Sequence, residues 1–115
     1  TLPEVARELV IIRVAVLNGA RFEYDAHVPI ALKAGAAQAA IDAVSTAGSI
    51  GAGLSETERA LIELTDAMTR EIAVPDALYA RVRSHCDERQ VLDAMVTIGA
   101  YNMVSRFLEA LHIGH

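Results

Sequence analysis

A glutamate and a histidine near the start of the chain have the spacing of an acid/base pair. Glu23 and His27 are four residues apart in the segment 18–28. On a helix, this spacing places two side chains on one face and in contact. A carboxylate beside an imidazole holds the ring in one tautomer, so the ring can donate or accept a proton near neutral pH. The pair predicts an acid/base site, and the alternative is an ordinary surface ion pair.

Glu8 is a third candidate for the same chemistry. It lies in the segment 5–12, where apolar residues cover nearly every face of a predicted helix. A carboxylate in apolar surroundings needs a partner or a chemical role, because burial disfavours its charged form. The alternative is that Glu8 pairs with Arg7 or another arginine at the rim of the helix.

The elements that must position these residues are predicted to be helices alone. β-branched residues are scattered, and no segment alternates apolar and polar residues as a half-buried strand does. Capping residues, glycines and prolines divide the chain into six predicted helices: 4–17, 21–34, 37–47, 55–71, 75–84 and 87–111. Pro29 should bend the second helix just after His27. We expect one all-α domain over residues 1–115.

Charge and hydropathy exclude several classes of protein. The net charge is −5 and no Lys/Arg-rich run occurs, so a nucleic-acid partner is not expected. The uninterrupted apolar runs are too short to span a membrane. The single cysteine, Cys86, permits no intrachain disulfide, and no secretion signal is visible, so we expect a cytoplasmic protein.

The composition also indicates self-association. A mean hydropathy of +0.32 is high for a small soluble monomer, so extra apolar surface should be covered by another subunit. The chain begins with Thr1 rather than methionine, which leaves room for native residues before position 1.

Several separated segments resemble one family. The residues of segments 7–15 and 22–28 resemble those of the carboxymuconolactone decarboxylase family, and segments 54–60, 74–76 and 99–108 agree with it in order and spacing. The resemblance implies an all-helical, alkyl hydroperoxidase D-like fold. It also implies trimers or hexamers with a site between helices near a subunit boundary.

The resemblance separates two kinds of chemistry. In the alkyl hydroperoxidase D branch, a Cys-x-x-Cys pair works with a His four residues after it and a Glu twelve residues before it. His27 and Glu8 match the last two positions, but Ala20 and Glu23 stand at the cysteine positions. Thiol-dependent peroxide reduction is therefore disfavoured, because a thiolate must attack the peroxide. Cys86 lies far downstream and is interpreted as a packing residue.

The remaining residues resemble the cysteine-free members of the family. The resemblance implies decarboxylation or proton transfer on a small carboxylated lactone or related acidic metabolite, without a cofactor. Loss of carbon dioxide leaves a dienolate whose charge must be stabilised and whose carbon must be protonated. We expect His27 to donate the proton and Glu23 to orient the ring. Glu8 either donates a hydrogen bond while protonated or helps deliver the proton.

Substrate binding needs a cation for the substrate carboxylate. The candidates are Arg13, Arg21 and Arg106, of which Arg13 is preferred, and Tyr24 is the other expected substrate contact.

Two further interpretations stay open. Two carboxylates and one imidazole could bind a divalent metal ion, but no second histidine has suitable spacing, so no metal is expected. His85 adjoins Cys86, and His112 and His115 lie at the C-terminal end, where their charge complements a helix dipole. The chain could also be a non-catalytic helical module for oligomer assembly.

Overall fold

Six α-helices make up the described part of the protein, and one of them is buried among the others. The structure, a computed structural model, describes residues 1–114, and within them no strand occurs. The helices are α1 (Glu4–Asn18), α2 (Arg21–Ala34), α3 (Gln38–Val44), α4 (Glu56–Arg70), α5 (Asp76–His85) and α6 (Glu88–Ala110). The predicted all-α fold is confirmed, and His115 lies outside the described residues.

Helix α1 is the centre of the fold. Its residues from Glu8 to Ala15 are all buried, and it contacts α2, α3, α4 and α6. This burial explains why apolar residues occur on almost every face of its sequence. Gly19 ends the helix in the left-handed conformation (φ +64°), and its N–H donates to carbonyls of the last turn.

The starts of α4 and α6 are fixed by capping boxes, as predicted. Ser55 accepts from the Glu58 N–H and Glu58 accepts from the Ser55 N–H. Asp87 and Gln90 form the same reciprocal pair at α6. These bonds satisfy backbone donors that the first turn of a helix leaves free.

Helix α3 is shorter than predicted, because it ends at Val44 rather than at 47. The Arg13 guanidinium accounts for this end. Its Nη1 donates to the carbonyl oxygens of Val44 and Thr46 at 3.1 and 2.6 Å. Those carbonyls are therefore bonded to α1 instead of to a further turn of α3.

Helix α6 is buried on one side only. Val91, Ala94, Ile98 and Ser105 point inward and are buried. On its outer face, an apolar stripe is exposed that continues one residue past the helix: Leu92, Val96, Met103, Phe107 and Leu111. Among the described helices, none is both long and apolar enough to cross a membrane.

Candidate functional site

Glu8 and His27 form a hydrogen-bonded pair between α1 and α2. Glu8 Oε1 and His27 Nδ1 are 2.8 Å apart, and the two side chains are only 8% and 17% exposed. Because Nδ1 is bonded to the carboxylate, Nε2 is the nitrogen left for proton transfer. Of the two alternatives for Glu8, the structure shows a buried partner of the imidazole rather than an arginine pair at the rim.

The carboxylate that is hydrogen-bonded to His27 is Glu8 and not Glu23, the predicted partner. Glu23 shares a helix face with His27 and is close enough for the charge of His27 to act on its pKa. His27 turns toward α1, whereas Glu23 turns toward α6, where its Oε2 accepts a hydrogen bond of 3.0 Å from the Ser105 hydroxyl. Helix spacing allowed the pair, but buried partners on neighbouring helices determine both rotamers. The carboxylate that orients His27 is therefore Glu8.

Glu23 is a buried carboxyl group with an unused oxygen. The residue is 3% exposed, and its Oε1 has no hydrogen-bond partner among the described residues. Burial raises the pKa of Glu23, and the Ser105 hydrogen bond and the charge of His27 offset this only in part. A raised pKa extends the pH range in which the carboxyl group is neutral, and a neutral carboxyl group can donate a hydrogen bond.

Tyr101 forms a wall of the site that the sequence analysis did not identify. Its ring meets the His27 ring edge to face, with centroids 5.5 Å apart and an interplanar angle of 86°. Ser105 was missed as well. The available signal was their spacing of four on α6, which places both on the side of α6 that contacts α1 and α2.

A groove of about 500 Å³ adjoins Tyr101. Arg7 and Asp93 also line it, and the Asp93 carboxylate accepts a 2.9 Å hydrogen bond from the Leu2 N–H. No ion pair or side-chain hydrogen bond of Arg7 is found within residues 1–114. Arg7 is thus a free cation in the groove next to the ring that contacts His27.

Arg13 does not have the environment of a substrate ligand. It is fully buried, and its Nε and Nη2 donate to the Asp66 carboxylate at 2.7 and 2.9 Å. With Nη1 on the α3 carbonyls, four of its five N–H donors are used inside the protein. This placement gives Arg13 a structural function in place of the predicted contact with a substrate carboxylate.

Tyr24 and Arg21 lie together on another groove, of about 510 Å³, near the end of α1. The Tyr24 hydroxyl is 2.8 Å from the Ser45 hydroxyl. Because Ser45 donates its own proton to the Ile41 carbonyl, Tyr24 is the donor. Arg21 pairs with Asp25 on the surface. The structure therefore separates Tyr24 from the Glu8–His27 pair by directing it toward α3.

Cys86 is buried at the end of α5. Burial and the neighbouring Asp87 charge raise the pKa of its thiol, which disfavours the reactive thiolate. Within the described residues, no group of three His, Cys, Asp or Glu side chains is placed to hold a metal ion.

Three comparisons relate this chain to known proteins. Residues 1–67 match the carboxymuconolactone decarboxylase family. The chain is 34% identical over 113 residues to the uncharacterised protein YdfG of Bacillus subtilis (strain 168), with 96% of this chain and 76% of that protein covered.

The fold is similar to that of a crystal structure from Agrobacterium tumefaciens. That protein has no established function and was provisionally described as the antioxidant defence protein AhpD. The TM-score is 0.86 at 28% identity, over 96% of this chain and 76% of the other. The family match spans more than half of the chain and includes Glu8, Glu23 and His27. The chain therefore belongs to the carboxymuconolactone decarboxylase family.

Proposed function

We propose that this protein is a cofactor-independent acid/base enzyme that acts on a small carboxylated lactone or a related acidic metabolite. The observation that carries the proposal is the buried Glu8–His27 hydrogen bond, which leaves His27 Nε2 available. A carboxylate and an imidazole in this arrangement stabilise the imidazolium and fix the position of its second proton.

In the proposed decarboxylation, the carbon–carbon bond between the lactone ring and the carboxylate breaks, and carbon dioxide leaves. The electron pair passes into the conjugated lactone as a dienolate. His27 Nε2 then donates its proton to carbon, and solvent restores that proton after product release. Glu8 stabilises the charged imidazole through Nδ1 before the transfer.

Glu23 is proposed to stabilise the developing oxyanion. Its raised pKa extends the pH range of the protonated acid, and its Oε1 has no partner among the described residues. A proton on Oε1 could be donated to the dienolate oxygen. A hydrogen bond aimed at charge that forms only in the transition state lowers the barrier.

Arg7 is proposed as the ligand of the substrate carboxylate, because Arg13 is used in the core. Arg7 and Tyr101 line the same groove, and Tyr101 contacts His27. The Asp93 carboxylate lies in the same groove beside Leu2 and repels other anions. A substrate carboxylate would therefore bind at the Arg7 end of the groove.

Peroxide reduction is the second candidate, because the similar Agrobacterium structure was provisionally assigned to antioxidant defence. In this chain Ala20 and Glu23 stand at the two positions where the peroxidase branch has cysteines, and Cys86 is buried. Peroxide turnover would therefore need a nucleophile other than a paired thiolate.

Two turnover assays on one preparation test the proposal. 4-Carboxymuconolactone decarboxylation and thiol-dependent peroxide reduction are each measured for the wild type, His27→Ala and the control His85→Ala. His85 is exposed at the end of α5. We expect decarboxylation that falls by about 10²–10⁴-fold in His27→Ala, unchanged activity in His85→Ala and no peroxide turnover.

Two results would contradict the proposal. Peroxide turnover in the wild type would favour the antioxidant function. Decarboxylation that survives in His27→Ala would remove the imidazole from the mechanism. If neither assay gives turnover and His27→Ala loses thermal stability, the Glu8–His27 pair is structural and the non-catalytic interpretation holds.

We also propose that the active form is a homo-oligomer. The exposed apolar stripe on α6 supports this, because a soluble monomer rarely exposes a continuous apolar face of that length.

A further inference from the structure

A groove of about 390 Å³ lies between the end of α4 and the middle of α6. Arg70 and Arg106 both line it, and no carboxylate does among the described residues. Helix geometry places it on the opposite flank of α6 from Tyr101 and the Arg7 groove. The proposed enzyme mechanism does not use it. In a protein of net charge −5, two arginines that line one groove from which carboxylates are absent among the described residues form a locally positive surface.

Both guanidinium groups are held by neutral acceptors. Arg106 Nη1 donates to Oδ1 and the backbone carbonyl of Asn102 at 2.8 and 3.1 Å. Arg70 Nη2 donates to the Ala47 carbonyl. Neither arginine has an ion pair within residues 1–114. Each therefore keeps its full charge and has N–H groups left for a ligand.

Asn102, which holds the Arg106 guanidinium, is itself held by hydrogen bonds to neighbouring helices. Asn102 Nδ2 donates to the Thr69 hydroxyl at 2.9 Å, and its Oδ1 accepts from Asn18 Nδ2 at 2.9 Å. This network joins α1, α4 and α6. A guanidinium bonded to such a network loses less conformational freedom when it binds an anion than a free side chain does.

Apolar side chains line part of the groove. Met68, Ile98 and Ile72 line it, and Ile72 is 85% exposed. Ile72 also has φ +68°, which a β-branched residue rarely adopts. An exposed apolar side chain in a strained backbone conformation is a feature that folding alone does not favour. It would contact the apolar part of any ligand held by the arginines.

We propose that this groove binds a small organic carboxylate. Arg70 and Arg106 would hold the carboxylate, and Ile72 and Met68 would contact an apolar body. The proposal is independent of the enzyme mechanism above, since it uses none of the residues of the Glu8–His27 site.

Benzoate and its neutral analogue benzamide test the proposal by amide NMR titration of the wild-type protein. We expect benzoate to shift the amide signals of Thr69, Gly99 and Asn102, and benzamide to bind much more weakly. Arg70→Gln and Arg106→Gln should each weaken benzoate binding about tenfold, as loss of a charge-assisted hydrogen bond predicts. Arg83→Gln, the same charge change on exposed α5, should leave it unchanged.

Three outcomes would overturn the proposal: equal binding of benzoate and benzamide, equal weakening by Arg83→Gln, or shifts that map to the Arg7 groove and not to this one. Thermal melting of each variant shows whether it is folded. If a glutamine variant is unfolded, Arg70→Lys and Arg106→Lys keep the charge and should retain part of the binding. Ile72→Ala should weaken benzoate but not inorganic phosphate, which has no apolar body.

Discussion

Glu23 lowers the free energy of unfolding by an amount that depends on pH. Its folded-state pKa is raised above the ordinary value of 4.5, so the unfolded chain releases this proton more readily than the native protein does. The unfolded state then binds fewer protons, and the contribution of Glu23 to stability falls as pH rises from 4.5 through the native pKa. Below that window, this destabilisation is absent.

Glu23→Gln should therefore stabilise the protein at higher pH. The pH-dependent part of the gain should be near zero below about pH 4.5 and should grow as the pH rises through the native pKa, by about 1.4 kcal/mol for each unit by which burial raises that pKa. Urea unfolding at several pH values measures it. Glu56→Gln, at an exposed position of α4, is the control and should show no such trend. A constant difference at all pH values would show that Glu23 titrates normally.

The Cys86 thiol should react slowly. It is buried, and burial and Asp87 raise its pKa. We expect alkylation by iodoacetamide near neutral pH to be much slower in the native protein than after unfolding in urea. Mass spectrometry of timed samples provides the measurement. Equal rates in the two states would show an accessible thiol and reopen a role for Cys86 in peroxide chemistry.

For single residues, the sequence identified which side chains belong to the candidate site but not their hydrogen-bond partners. Glu8, Glu23 and His27 could be selected because charged groups stood in apolar segments or at helical spacing. Their pairing could not, because it depends on rotamers set by Ser105 on α6 and by the approach of α1 to α2. Arg13 was misinterpreted for the same reason, since its partner Asp66 lies on α4, 53 residues later in the sequence.

Among the helices, Arg13 is the main polar connection of α1. It joins α1 to Asp66 of α4 and to two carbonyls at the C-terminal end of α3. Arg13→Gln should lower the free energy of unfolding by about 3–5 kcal/mol, because it removes a fully buried charge and leaves the half-buried Asp66 carboxylate and two carbonyls without their donors. Arg21→Gln, which breaks the exposed Arg21–Asp25 pair, should cost no more than about 1 kcal/mol.

Urea unfolding of both variants provides the measurement. A cost for Arg13→Gln as small as that for Arg21→Gln would mean that Arg13 does not hold these helices together. If Arg13→Gln does not fold, Asp66→Asn can be measured in its place. It keeps the shape of the Asp66 side chain, removes its charge, and should lower the free energy of unfolding by a smaller amount.

The helix boundaries were predictable where local residues determine them. Gly19, Gly35 and the two capping boxes end or begin helices through bonds within a few residues. The end of α3 was not predictable, because Arg13 contacts it from more than thirty residues away.

For the whole molecule, the exposed apolar stripe on α6 predicts self-association. Val96 and Phe107 are each 62% exposed. Replacing both with glutamate should convert an oligomer to a monomer, because two charges would be desolvated in each copy of the interface. Sedimentation velocity measures the change, with Ile72→Glu as a control outside the stripe. A wild-type monomer would contradict the prediction.

The all-helical fold could be predicted from periodicity and from the family resemblance. Which side of α6 faces outward could not, because apolar residues occur on most of its faces. Only the packing of Ala94, Ile98 and Ser105 against the other helices separates the two sides.

Pro29 gives the two halves of the Glu8–His27 pair different mechanical properties. It has no N–H, so the carbonyl of Asp25 lacks the usual donor one turn later, beside His27. Glu8, by contrast, is on α1, whose hydrogen bonds are shielded by four helices. The imidazole therefore sits on a softened helix and its carboxylate partner on a stiff one. A small change in the curvature of α2 could break and remake their hydrogen bond while the core stays intact.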